Sequence, residues 1–456
     1  MRNKILKVMA VIFAVALIAP SFAAVESVKV GGDITIKGIF RDGTFFTTDY
    51  PAQDFIYSGV RVYVTADLTD NIQAMIRLIN ERDFGNDYLR EVEGSMVLDL
   101  GYIKVKDILA PGLTLTVGRQ EIQLGNGLVV GSRYRALDYA GAELGTAAID
   151  LGQQKAFDAI RADYEFATVP IDITLFKAKI AETYGLIRPT NDAINFINGL
   201  GILPMLIPTL PSFNDVDLYG LNMKYTADMF TVEPYFVYAG MAHADLDIMT
   251  GGVRGTINPT DALAIDLEIA KQFGSADYIM GADSDFDGMA GTLGLTYKFD
   301  ANMQPVVNFG FSYFSGWDGN GQDIETWIPV FPSNVASRIG SLAYLTLFPA
   351  GEGIATTAIG SGTNGLQAIN LGCTIQPTEK IGVGLQWYYL TADETMGGAD
   401  DSLGNEIDLS VSYAYTEDLS FGLDFGYLML GDNIDDSFGI NSDNPWQVIG
   451  TMKVAF

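Results

Sequence analysis

The 456-residue sequence predicts an all-β fold: a transmembrane antiparallel up-and-down β-barrel of eighteen strands, with short periplasmic turns and long extracellular loops. Three observations predict it. Apolar residues recur at every second position over runs of about ten residues, the period of a strand with one face in oil and the other in water. Short polar turns and long irregular stretches separate these runs alternately, the pattern of a membrane barrel. Beyond residue 23 no uninterrupted apolar run reaches the roughly 18 residues of a membrane helix. The most apolar stretch, "AINFINGLGILPMLIPTLPSF", is broken by Asn, Gly and three prolines.

In chain order, the first element reads as a secretory leader. Arg2, Lys4 and Lys7 form a basic region, Val8 to Ala19 an apolar one, and Ser21-Phe22-Ala23 a small-x-small cleavage site before Ala24. Residues 1–23 are therefore expected to be removed, leaving 24–456 as a single barrel domain of an exported protein. "GDITIKGIFR" is the first expected strand. Eight turns follow, at 67–71, 106–112, 166–171, 226–230, 257–261, 299–303, 375–379 and 415–418, each carrying the Asp, Asn, Pro or Gly that a tight reversal needs. Eight hairpins supply sixteen strands. The last strand, "WQVIGTMKVAF", places Trp446, Val448, Met452, Val454 and Phe456 on one face and makes eighteen.

Closure has a physical reason. In hydrocarbon every backbone N–H and C=O must be paired, so the last strand has to meet the first. The 22 Tyr and 26 Phe can supply interfacial girdles.

Composition excludes several classes. Lys and Arg number 27 against 56 Asp and Glu, a formal net charge of −29, which disfavours nucleic acid. Cys373 is the single cysteine, so no internal disulfide is available. His243 is the single histidine, which makes a multi-histidine metal site impossible and an outer-membrane barrel enzyme a poor reading.

The stretch "LDLGYIKVKDILAPGLTLTVGRQEIQLGNGLVVGSRYR", followed by "FDAIRADYEF", resembles the alginate-export family of eighteen-stranded outer-membrane channels, notably at Gly118-Arg119-Gln120 with Gly125 downstream. The motif-level likeness spans about residues 96 to 166; elsewhere only the strand count agrees. It implies a bacterial outer-membrane porin that passes small hydrophilic or charged solutes by passive diffusion, without catalysis. Export of an anionic polysaccharide such as alginate is the alternative, and the acidic balance argues against it. An adhesive or structural barrel is a third reading. Expected partners are outer-membrane lipid and lipopolysaccharide, small polar solutes, and the barrel-assembly machinery acting on the strand that ends in Phe456.

Counting up from the short turns places Arg61, Arg77, Arg119 and Arg161 about halfway through the wall, as one belt. Arg61, Arg77 and Arg161 have inward parity. Arg119 shares the parity of Leu113, Leu115 and Val117 and would face lipid unless a bulge at Gly118 turns it inward. Arg61 and Arg77 are expected as ladder neighbours about a turn centre near position 69, tolerant of replacement by Glu. Asp266, Glu268, Asp408 and Asp424 fall at middle heights with inward parity, so they could oppose the arginines in a transverse field; the plainer alternative is that these charges solvate a wide lumen.

Residues 120–155 are too apolar and too rich in small residues for an open surface loop. They are a candidate infolded constriction, with Arg133 and Arg135 projecting into the lumen. Asp283, Asp285 and Asp287 have the spacing of the first half of a calcium loop, but Gly294 stands where the bidentate acid belongs. A solvated acidic loop is the expectation, with Ca2+ as the alternative and no other cofactor. The apolar pieces of 180–215 and 314–365 are expected to fold into the lumen or against one another.

Overall fold

The computed structural model describes residues 26–42, 52–84, 96–131, 156–181, 216–241, 246–276, 284–317, 323–328, 365–395, 400–432 and 444–456. Six strands make the first third: β1 Ser27–Asp42, β2 Gln53–Thr69, β3 Ile72–Asp83, β4 Val97–Val105, β5 Leu113–Gln120 and β6 Phe157–Glu165. The next six are β7 Ile171–Ala181, β8 Val216–Thr226, β9 Phe230–Met241, β10 Leu246–Ile257, β11 Leu263–Ala276 and β12 Met289–Lys298. The last are β13 Val306–Phe314, β14 Leu366–Thr378, β15 Ile381–Thr391, β16 Ser402–Ala414, β17 Leu419–Leu430 and β18 Trp446–Ala455. Each strand pairs antiparallel with its neighbours in sequence, and β1 also pairs with β18, so the sheet closes. Seven of the eight short turns fall at the junctions that the sequence assigns them; the one expected at 375–379 lies mostly within β14, which stays paired with β15 up to Thr378, so the chain reverses at 379–380.

At the seam the terminal Phe456 exchanges both backbone hydrogen bonds with Gly32, N–H to carbonyl at 3.0 and 2.9 Å. Its ring lies over Gly32, where an added Cβ would come within 2.9 Å of it. The pair covers the glycine with an aromatic face and leaves no edge open.

Parity follows the sequence pattern. Val64, Ile76, Ile103, Val117, Ile160, Leu175, Leu267, Leu385, Leu409 and Leu423 are exposed on the outer face. Rings gather at two levels on that cylinder. At the short-turn end stand Tyr164 with Phe166, Tyr225 with Phe230, Tyr297 with Phe299, and Tyr413 with Tyr415 and Phe421. Nearer the long loops stand Tyr219 with Tyr238, Phe236 with Phe273, and Trp387 with Tyr389. Tyr413 pairs with Ile381, and about eight residues of β15 separate Ile381 from Tyr389, roughly 20 Å at a tilt near 40°. That is the order of the apolar band, about 25 Å tall, that aromatic girdles flank on a membrane barrel, though shorter than it.

The apolar core sits inside the cylinder. Ile122, Leu124, Leu128, Val129 and Val130, from the segment after β5, pack on inward residues of β6 to β11 such as Phe176, Leu218, Tyr235 and Val237. Phe286, Trp327 and Ile328 join the same cluster. A smaller cluster of Ile39, Tyr57 and Ile449 lies on the inner face of β1, β2 and β18.

Candidate functional site: the lumen and its infolded segment

The arginine belt is only partly as the sequence places it. Arg61 and Arg77 sit mid-strand on the inner face, but Arg61 lies opposite Ile79 and Arg77 opposite Tyr63. They are diagonal neighbours, because the turn closes one pair further along than a centre at 69 implies. Arg161 also faces inward, opposite Thr116 and Phe176.

Each of the three is engaged by a carboxylate. Arg61 Nε lies 2.9 Å from Asp33, and Arg161 Nε lies 2.9 Å from Asp163. Arg77 donates to Asp99 and, at 2.6 Å, to Glu121. Asp99 reaches Arg77 because β4 carries a bulge: Arg77 pairs with Leu100 and Leu78 with Leu98, so Asp99 is the extra residue. Its side chain is fully buried. Expecting Glu to be tolerated at position 77 is therefore incorrect, since it would face Asp99 and Glu121.

Arg119 does not join the belt. Gly118 adopts a positive φ of 122°, yet the ladder passes it unshifted on both sides, pairing Arg119 with Gly101 and Asp158. No residue is inserted, so parity is not inverted. Arg119 stays on the face of Val117 and Ile160, 3.4 Å from Asp158. It is one residue from the long-loop end of β5, where a charge costs far less than at the midplane.

The carboxylates of β11 do not stand opposite the arginines across open lumen. Glu233 of β9, Arg254 of β10 and Glu268 of β11 are direct cross-strand partners on the inner face. Against this row lies the turn at 124–127, closed by a hydrogen bond of 2.8 Å from the Gly127 N–H to the Leu124 carbonyl. The Gly125 N–H donates to Glu233 at 3.0 Å and the Asn126 N–H to Glu268 at 2.8 Å. The Asn126 side-chain amide donates to Asp266 at 2.7 Å, and Arg254 donates to the Gly125 carbonyl at 3.4 Å.

The wall groups also hold one another. Arg254 reaches Asp266 at 2.6 Å, the Tyr235 hydroxyl donates to Glu268 at 2.7 Å, and the Asn222 amide donates to Glu233 at 3.0 Å. Gly125 has a φ of 53°, and an added Cβ would lie 2.5 Å from Glu268 Oε1. Glycine is required here by conformation and by space.

Magnitudes show what holds the segment in place. Burying its five apolar side chains contributes about 7–15 kcal/mol, while ordering the eleven residues 121–131 costs about 11–22 kcal/mol in backbone entropy. The two nearly cancel. Four hydrogen bonds to charged groups, at about 1.5–3 kcal/mol each, decide the balance.

A second segment, 323–328, is held in the same way. Buried Gln272 of β11 donates to the Ile328 carbonyl at 2.5 Å and accepts from its N–H at 2.9 Å.

Asp408 and Asp424 have inward parity, opposite Gln386 and Ser410 respectively. Beside Asp408 the inner wall turns to amides, with Asn308 and Gln386 bonded to each other at 3.2 and 3.0 Å.

Of the acidic loop with calcium-like spacing, the described part begins at Ser284. Asp287 is ion-paired with Lys271 at 2.6 Å, and Phe286, bridged to Ile324, is buried. Among the described residues no three His, Cys, Asp or Glu side chains gather as a metal site. Asp283, Arg133, Arg135, His243, the leader at 1–23 and the apolar pieces of 180–215 and 314–365 lie outside the described residues.

Sequence patterns missed Glu233, Arg254 and Asn126. Arg254 has inward parity on the hairpin that carries Asp266 and Glu268, so counting from the turn at 257–261 would have brought it forward.

No protein-family model matches the sequence, and no curated protein matches it either. Solved structures do. Pseudomonas aeruginosa OccK11 (OpdR) superposes with a TM-score of 0.57 at 11% identity over 95% of this chain and 97% of its own. OccK8 (OprE) of the same organism gives 0.57 at 13% identity over 95% and 98%. Acinetobacter baumannii OccAB4 gives 0.56 at 9% identity over 96% and 100%. These likenesses carry the eighteen-stranded barrel. The alginate-export resemblance is not supported beyond that shared architecture.

Proposed function

We propose that this chain is an outer-membrane channel of the porin type, passing small hydrophilic or charged solutes by passive diffusion. One observation carries the reading: a closed barrel with an apolar, twice-girdled outer face encloses a polar inner face at mid-height, where Arg61, Arg77 and Arg161 stand with their carboxylate partners. Charges inside a membrane-spanning cylinder face an interior or water-filled cavity and pair with one another, as these do, which is the arrangement of a polar pore. The barrel shared with the OccK proteins supports it.

The infolded segment after β5 supplies the constriction, and the terminal strand supplies the signal for the assembly machinery. Export of a polyanion gains nothing from the belt, because each inner arginine already holds a carboxylate.

Single-channel recording of the refolded mature chain in a planar bilayer tests the proposal. Discrete conductance steps with a definite reversal potential in a salt gradient are expected. A heat-modifiable, folded barrel that gives no steps would overturn it.

A further inference from the structure

We infer that the turn at 124–127 is a latch over a patch of wall carboxylates, so that its release both widens the channel and turns its ion preference toward cations. The inference rests on the channel reading above. Glu233, Asp266 and Glu268 share the patch with one cation, Arg254. While the turn is seated, its N–H groups and the Asn126 amide occupy these carboxylates, and Glu268 is fully buried. Three bonds across the contact thus run from donors of the turn to charges of the wall, and Arg254 returns one to the Gly125 carbonyl. A departing turn leaves three carboxylates against one guanidinium on a wet surface, and such a surface attracts cations.

Two kinds of variant separate the latch from a merely structural contact. Gly125→Val breaks it from the loop side: the added Cβ meets Glu268 at 2.5 Å and the φ of 53° disfavours a branched residue. Glu233→Ala/Glu268→Ala breaks it from the wall side and removes two of the three carboxylates.

Both should enlarge the single-channel conductance, by an amount on the order of one-half, because the segment belongs to an apolar cluster that fills the lumen along β6 to β12. Only Gly125→Val should move the zero-current potential toward cations. Asn126→Ala, which shortens one side chain and deletes the bond to Asp266, should show brief excursions to the same larger conductance.

Folding is checked by heat-modifiable migration. If Gly125→Val does not fold, the other two variants carry the test. Parental conductance in the folded variants would overturn the latch while leaving the channel intact; equal cation shifts in the loop-side and wall-side variants would overturn the role of the patch. A silent parent barrel would instead remove the channel reading itself.

Discussion

Replacing Arg77 by Met should be far more damaging than the same change at Arg61, although the two arginines are diagonal neighbours on one hairpin. Arg77 serves Asp99, whose side chain has no solvent exposure, and Glu121, whose side chain is 45% exposed. Losing the guanidinium strands a buried carboxylate, at a cost of about 3–5 kcal/mol. The half-exposed Glu121 adds less than about 1 kcal/mol. Arg61 and Asp33 are both partly solvated, at 20% and 15%, and water can replace the missing partner, so Arg61→Met should cost about 1–2 kcal/mol. The double variant Arg77→Met/Asp99→Leu removes both charges and should recover most of the loss. Urea titration of the refolded barrels, followed by tryptophan fluorescence, reads these differences as midpoint shifts. Equal midpoints for Arg77→Met and Arg61→Met would refute the reasoning, as would a double variant no more stable than Arg77→Met.

Two further outcomes follow from the seam and the ladder. Phe456→Asp should lower the yield of folded barrel in membranes without changing the conductance of what folds, since it puts a charge where the terminal ring covers Gly32; a normal yield on heat-modifiable gels would contradict this. Gly118→Val should destabilise by at least about 1–3 kcal/mol from its φ of 122° alone, with a further clash because an added Cβ would lie 2.2 Å from the Gly101 carbonyl oxygen; a parental urea midpoint would count against it.

The strand count, seven of the eight turns, the closing pair of β1 and β18 and the outward face were legible in the sequence because each depends on local rules. Alternation by two decides which side meets lipid, turn residues mark reversals, and backbone pairing in hydrocarbon demands closure. The inward parity of Arg61, Arg77 and Arg161 came from the same rule. Placing Arg119 in the lumen belt is incorrect: it needs a bulge at Gly118, and a positive-φ glycine does not by itself insert a residue, so parity alone keeps Arg119 outward.

Tertiary structure alone decided what the inner residues meet. The bulge that turns Asp99 toward Arg77 leaves no alternation signal, since one extra residue in β4 shows only when β3 is laid beside it. Glu268 looked like a lumen charge because its parity is inward, yet it lies beneath Asn126, which is 142 positions earlier in the chain. Parity assigns a side chain to the lumen but does not say which part of the chain fills the lumen there. Segment 121–131 crosses from β5 to the wall of β9, β10 and β11, and its near-balance of burial against entropy is settled by hydrogen bonds between residues that no local pattern connects.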